Sequence, residues 1–503
     1  MAKPMTAVTP GGGAGSSATG AHVRWDGARY ERLLQASSLF AALDGDLRPE
    51  VMPGQSIASL ERCADRIEAH LADEAYELAV QTLIDTSVHY SHSGYLNQQL
   101  NFPLPGAVIG ALWGAALNQG QAVFSMSPMT SVIERRALTW AQQRLDLADE
   151  AFGISCGGGS LANLSAMLAA RNRLDAWGAW DRGQPADVTV LVSRHAHYSI
   201  SRAAAIVGIG TARVRAMPTD EDGRIDLAAV FEVLAEGGAC IVCLSAGTTS
   251  TGAFDDMAGF FERAPALDPS RVWVHVDAAH GGSFYSCPHL ARQFAALKRA
   301  DSVCWDLHKV FFQSVPLSFL FFKDRHAASH ASRHSTPYLT QESAGDYPDM
   351  HNWTLECSRH ANAIKLWLSL HTTGAEAIER DVRGLHALTV TLSERLRQNA
   401  RLTVYGQPDT NIVCFRVASG VYGDGITQQL FDQLNGTRYW SVGHVHLDGH
   451  FFIKVCFMNP RLTEALVIEF ASEVERQLRT VAAVMLVGDE SADGSHEFIE
   501  AVW

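Results

Sequence analysis

Between Val188 and Phe322 apolar, β-branched runs alternate with helical patterns. Strands and helices in alternation build a parallel sheet with helices on both faces, so an α/β fold is expected there. Two of the runs end in chemistry. Val272 to Ser283 reads VWVHVDAAHGGS, an apolar strand closing on an acid, Asp277, and then small residues. Asp301 to Pro316 reads DSVCWDLHKVFFQSVP, with His308-Lys309 at its centre. The chain between the two motifs is long enough for neighbouring strands with a crossover. Both side chains would then sit at strand ends, where the sites of open α/β sheets form.

Each residue alone has a plain explanation, Asp277 as a helix cap and Lys309 as a surface lysine. Together they are the pair that pyridoxal phosphate (PLP) requires. A lysine must bond the aldehyde, and a carboxylate must keep the pyridine nitrogen protonated so that the ring accepts electrons. At these motifs the sequence resembles the group II PLP-dependent amino-acid decarboxylases, which include glutamate, aromatic amino-acid, diaminobutyrate and siderophore-type lysine decarboxylases. The resemblance runs from about Asp85 to Arg479. It departs where members read D-A-A-W or D-A-A-Y and this chain has Asp277-Ala278-Ala279-His280. It departs again where N-P-H-K is replaced by Asp306-Leu307-His308-Lys309, a form closer to the diaminobutyrate and lysine branch. The resemblance implies the fold type I transferase architecture: a mostly parallel seven-stranded large domain and a smaller C-terminal α/β domain. It also implies a homodimer.

The chain has 503 residues, too many for one core, so several lobes are expected. A net charge of −14 argues against nucleic acid and anionic membranes as partners. No apolar run is long enough to span a bilayer, and the N-terminus lacks a signal pattern. Nine scattered cysteines suit reduced thiols in a cytoplasm better than a disulfide framework. Cys240-x-x-Cys243 lies inside a buried-strand pattern, not at the strand-to-helix turn of a redox site.

Five segments follow: a disordered tail over 1–22, an N-terminal helical arm over 23–110, the PLP-binding large domain over 111–374, the small domain over 375–485, and an acidic tail over 486–503. Within the arm, Ser56 opens a capped helix. His89 to Pro105 is rich in amides, aromatics and breakers and reads as a loop. Ser127 to Arg144 is a helix, as are Trp353 to Leu370, Ala375 to Arg397 and Thr463 to Arg479. His326 to His351 reads as irregular, and Asp255 reads as the cap of the next helix.

The glycine run before Ser160 leads into a strong helix, and free N–H groups there form an anion site. It is neither a Walker A loop nor G-x-G-x-x-G. By resemblance this is the phosphate turn, with Gly159 and Ser160 on the contacting positions. His197, two residues before Ser199, falls on the histidine that stacks on the cofactor ring. Ala279 packs on the opposite face, and Thr249, Asp306 and His308 fall on further cofactor positions. Asn97-Gln98 matches a segment that lines the substrate pocket; satisfying loop backbone is the alternative. Lys454 stands where glutamate decarboxylases place a carboxylate-binding arginine. Arg359 matches a family arginine, paired with an acid at the domain junction or serving structure alone. Tyr338 matches the tyrosine of a mobile loop that returns a proton to the reacting carbon.

The implied reaction is decarboxylation of an L-amino acid to its amine and CO2. Asn97-Gln98 points to an acidic side chain such as aspartate or glutamate, whereas the D-x-H-K motif and Lys454 point to the 2,4-diaminobutyrate branch. The rivals are an oxidative aldehyde synthase and a non-catalytic relative.

Overall fold

In the computed structural model the chain builds two sheets, one in each lobe. The structure describes residues 27–43, 51, 56–176, 178–183, 187–264, 267–332, 347–418 and 423–489. The expected tail over 1–22, the last fourteen residues and Tyr338 lie outside them.

The arm begins with α1 (Gly27–Ser37), α2 (Ile57–Ala72) and α3 (Tyr76–Thr86). Ser56 caps α2 as expected, its side chain accepting the Ser59 N–H at 3.2 Å. The loop that follows contains one short element, β1 (Tyr95–Leu96), which pairs in parallel with a distant strand. Next come α4 (Pro105–Leu117) and α5 (Pro128–Arg144). The boundary expected at residue 110 falls inside α4. Gly106 and Gly110 let α4 lie directly on the helix Ala363–Thr372: a Cβ on Gly110 would be 2.6 Å from the Lys365 Cα.

The large sheet contains β2 (Phe152–Cys156), β3 (Val188–Ser193), β4 (Val214–Met217), β5 (Ala239–Ser245), β6 (Val272–Asp277), β7 (Ser302–Asp306) and β8 (Ser318–Phe322). Their order is β2-β8-β7-β6-β5-β3-β4. All neighbours are parallel except those of β8, which runs against both β2 and β7. This is the seven-stranded, mostly parallel sheet expected. Successive side chains alternate between faces. Val242, Val274 and Val303 enter one core, while Ile241, Trp273 and Cys304 enter the other. The second core packs under α6 (Gly159–Leu174), through Ala162, Ala166 and Ala170. Burial on both faces explains why these strands read as predominantly apolar, with the polar residues of β6 and β7 paired inside.

The small domain carries β9 (Leu402–Val404), β10 (Ile412–Val417), β11 (Ser441–Leu447) and β12 (His450–Cys456), in the order β1-β11-β12-β10-β9. Its final helix, Glu464–Asp489, runs past the boundary expected at 485.

Three local expectations are corrected. Asp255 is not a cap. It is fully buried and accepts the Ile225 and Ser245 N–H groups at 2.7 and 2.6 Å, while Asp256 caps the helix Met257–Arg263. The helix expected from Trp353 starts at Ala363, because the preceding segment is spent on burying Arg359. The irregular stretch expected from His326 begins as a helix, Arg325–Ser332, with Asp324 accepting the Ala327 N–H at 2.8 Å.

Candidate active site

Five strand ends of the large sheet converge on one cavity of about 400 Å³, lined by residues after β2, β3, β5, β6 and β7. After β2 the chain turns through Gly157 and Gly158 into α6, and Gly158 takes a φ of +146° that only glycine adopts freely. The first N–H groups of a helix have no acceptor within it, so Gly159 and Ser160 present theirs at the cavity wall. The turn already holds one oxyanion: the Glu356 carboxylate accepts the Gly157 N–H at 3.1 Å.

Asp277 closes β6. Its Oδ2 accepts from Asn163 Nδ2 at 2.9 Å, and its Oδ1 accepts the Ala279 N–H at 3.1 Å and the Cys304 thiol at 3.3 Å. Burial opposes the charge, but Lys309 and the hydrogen bonds from Ala279 and Asn163 outweigh it and hold the carboxyl below its ordinary value. Lys309 follows β7, with Nζ 3.3 Å from Asp306 Oδ2. Burial again opposes the charge, and Asp306 and Asp277 overcome it, raising the ammonium above its ordinary value. Asp306 is anchored from behind by the Ser318 hydroxyl at 2.6 Å. His308 lies with Nδ1 2.9 Å from the Leu317 carbonyl, and Asn101 ties the lysine loop by donating to the carbonyls of His308, Lys309 and Gln313.

His197 sits beyond β3 on the cavity wall, its Nδ1 2.7 Å from Ser199 Oγ. Burial lowers its pKa most, so the ring is neutral. Ala279, Thr249 and His280 complete the wall. His280 donates Nε2–H to Asn411 Oδ1 at 2.7 Å, and burial pushes it down to about 3.

The other expected residues are placed differently. Lys454 is buried in β12 and donates to the Thr249 carbonyl at 2.6 Å, reaching the rim of the cavity. Asn97 donates to Ser441 Oγ at 3.2 Å and lies against Gly443, which pairs with Lys454 across β11 and β12. Gln98 donates its backbone N–H to the Tyr95 hydroxyl at 3.3 Å. Among the described residues none of these three lines the cavity itself. Arg359 is buried against Glu134 at 2.8 Å and also reaches Ser155, joining α5 to β2. Sequence reading passed over Asn163, Ser199, His275 and Cys304 as functional positions. Their signal is weak: alternate residues on β6 and β7 are polar where the neighbouring positions are apolar.

The residues present fit PLP. A glycine-built anion turn, a lysine and a buried carboxylate held anionic face one cavity at the carboxyl ends of parallel strands, which defines a PLP-dependent enzyme of fold type I. The description "Pyridoxal-dependent decarboxylase conserved domain" matches residues 53–418, and the chain belongs to that family. It is therefore a PLP-dependent amino-acid decarboxylase, a carboxy-lyase. The L-2,4-diaminobutyrate decarboxylase of Rhizobium meliloti (strain 1021) is 30% identical over 380 residues, 73% of this chain and 74% of that protein. The cysteine sulfinic acid decarboxylase of Mus musculus is 29% identical over 346 residues, 67% and 69% of the two chains. The structure of Oryza sativa TDC with PLP and tryptamine superposes with a TM-score of 0.81 at 21% identity, covering 92% of this chain and 99% of that one, a likeness of fold. Among the described residues no helix is long and apolar enough to cross a membrane.

Proposed function

We propose that the substrate is a small polar or acidic L-amino acid, such as aspartate, glutamate or 2,4-diaminobutyrate, and that the products are its amine and CO2. The observation carrying this reading is the buried ammonium of Lys454 at the cavity rim beside Asn97. A cation there complements the carboxylate of aspartate or glutamate as a point charge, without the bidentate fork of arginine, and opposes the ammonium of 2,4-diaminobutyrate. The relatives named for 2,4-diaminobutyrate and cysteine sulfinate support a small, polar substrate class.

In this reading Lys309 bonds the cofactor, which supplies an electron sink for the pair left at Cα when CO2 departs. Gly159, Ser160, Thr249, Asp306 and His308 hold its phosphate end and the lysine loop. Asp277, kept anionic, holds a proton on the ring nitrogen. Ala279 and His197 would hold the cofactor ring between them, and neutral His197 would keep a proton on Nε2 within the cavity. Asn97, Gln98 and Lys454, which stand outside the cavity wall, are assigned to the end of the substrate side chain that extends towards the Thr249 rim. Tyr338 returns the proton to Cα.

The assembly in this reading is a cytoplasmic homodimer. An exposed apolar stripe on α4, including Val108, Leu112 and Trp113, offers the surface. Nine free thiols, eight of them buried, suit a reducing compartment.

The test is to incubate PLP-loaded protein with each common L-amino acid, L-2,4-diaminobutyrate and L-cysteine sulfinate, measuring CO2, amine and ammonia together. Equal amine and CO2 from a small polar or acidic substrate support the proposal. Turnover confined to aromatic substrates overturns it.

A further inference from the structure

Behind the cavity a file of buried polar side chains crosses from β6 and β7 to α6. Trp273, His275 and Asp277 alternate along β6 and so share the face under α6. On β7, Ser302 stands in register with His275, and Cys304 with Asp277. Trp273, Ser302, His275 and Asn163 are all nine-tenths or more buried. We propose that these four residues form a one-way hydrogen-bond chain that fixes both the charge of Asp277 and the tautomer of His197, with His275 as its controlling positioning residue.

The direction of every bond follows from the two ends. An indole nitrogen only donates, so Trp273 Nε1–H points to Ser302 Oγ at 3.0 Å. The Ser302 hydroxyl proton is then turned to His275 Nδ1 at 2.8 Å. Burial lowers His275 to about 4, so the ring is neutral. With Nδ1 accepting, its proton lies on Nε2 and goes to Asn163 Oδ1 at 3.0 Å. The single proton of the Cys304 thiol is shared between the same oxygen at 3.1 Å and Asp277 Oδ1 at 3.3 Å. Asn163 Nδ2 is thereby left to donate twice, to Asp277 Oδ2 and to Ser199 Oγ, each at 2.9 Å. Ser199, accepting there, sends its own proton to His197 Nδ1 at 2.7 Å. The proton of His197 therefore lies on Nε2. At the far end an ionised carboxylate accepts only, so the chain cannot run backwards.

One amide orientation of Asn163 satisfies all four contacts. The other tautomer of His275 would turn that amide and set Oδ1 against the Asp277 carboxylate. His275 thus acts on the cofactor without touching it, and its influence rests on the PLP reading of the site.

The test uses the full-length protein, stripped of cofactor and titrated with PLP, and reads the visible absorbance of lysine-bound cofactor. His275→Phe keeps the ring's bulk and removes the donor, and should weaken PLP binding by about tenfold and move the pH midpoint of the absorbance. His275→Gln can still donate to Asn163 and should restore both close to wild type. Ser302→Ala, the gentler change at the far end, should weaken binding by about threefold. Unchanged affinity and pH midpoint in folded His275→Phe would overturn the inference, as would His275→Gln failing as badly as Phe. If His275→Phe does not fold, wild-type affinity in Ser302→Ala overturns it instead. Wild-type protein giving no visible absorbance with PLP would defeat the cofactor assignment itself, a distinct result.

Discussion

Gly159 and Asp306 occupy the same space: a Cβ built on Gly159 would lie 2.6 Å from Asp306 Oδ2. The glycine turn and the lysine loop are therefore locked together by the absence of one methyl group. Gly159→Ala must push Asp306 off both Ser318 and Lys309. PLP affinity should fall by at least about tenfold, while far-ultraviolet circular dichroism stays near wild type. Spectral titration with the cofactor checks this, and wild-type affinity would separate the two loops functionally.

Arg359 and Glu134 form an ion pair that is almost wholly buried, with Ser155 as a further partner. Removing one member strands a charge. Arg359→Met should cost about 3–5 kcal/mol in urea unfolding, and Arg359→Met with Glu134→Met should recover much of it. A single variant within about 0.5 kcal/mol of wild type would contradict the buried pairing.

His275 and His280 are both buried and neutral, lowered from 6.5 to about 4 and about 3. The unfolded chain binds protons at these sites at higher pH than the native one does. Stability is therefore full above about pH 6.5 and falls as the pH drops towards 4, by up to about 1.4 kcal/mol per pH unit for each histidine. Urea unfolding at pH 7 and pH 5 should show this fall, and His280→Asn should reduce the difference between the two pH values. An equal difference in wild type and variant would mean that His280 is not buried neutral.

Tyr338, proposed to return the final proton, is tested by the products. Tyr338→Phe should still release CO2 but divert part of the turnover, with O2 as oxidant, to aldehyde and ammonia. Chromatography of the products under air and under nitrogen measures this. Amine alone at the wild-type rate would assign the proton to another group, His197 first.

The strands β5, β6 and β7 were readable because burial on both faces keeps them rich in β-branched and aromatic residues, and Asp277 and Lys309 because one closes such a strand and the other follows one. Asn163 was not readable as a hub. Its four contacts come from three separate segments, and nothing in a helical pattern distinguishes it from a polar residue facing water. Asp255 and Asp256 show the same limit. Adjacent acids after a strand offer equal caps, and only the tertiary fold decides which one is buried on backbone amides. β1 escaped notice because two residues carry no period; its strand character comes wholly from the partner strand β11.

That pairing bears on the order in which the molecule can be finished. β1 is made before the large sheet and β11 after it, yet they are neighbours in the small sheet. During synthesis the early strand must wait, its edge unsatisfied, until the ribosome has released almost the whole polypeptide. Cutting the gene between the lobes would yield a C-terminal fragment with an open β11 edge, ready to pair with foreign strands. The segment that carries β1 thus serves two lobes: it completes the small sheet while the residues just after it hold the lysine loop and pack on the large domain.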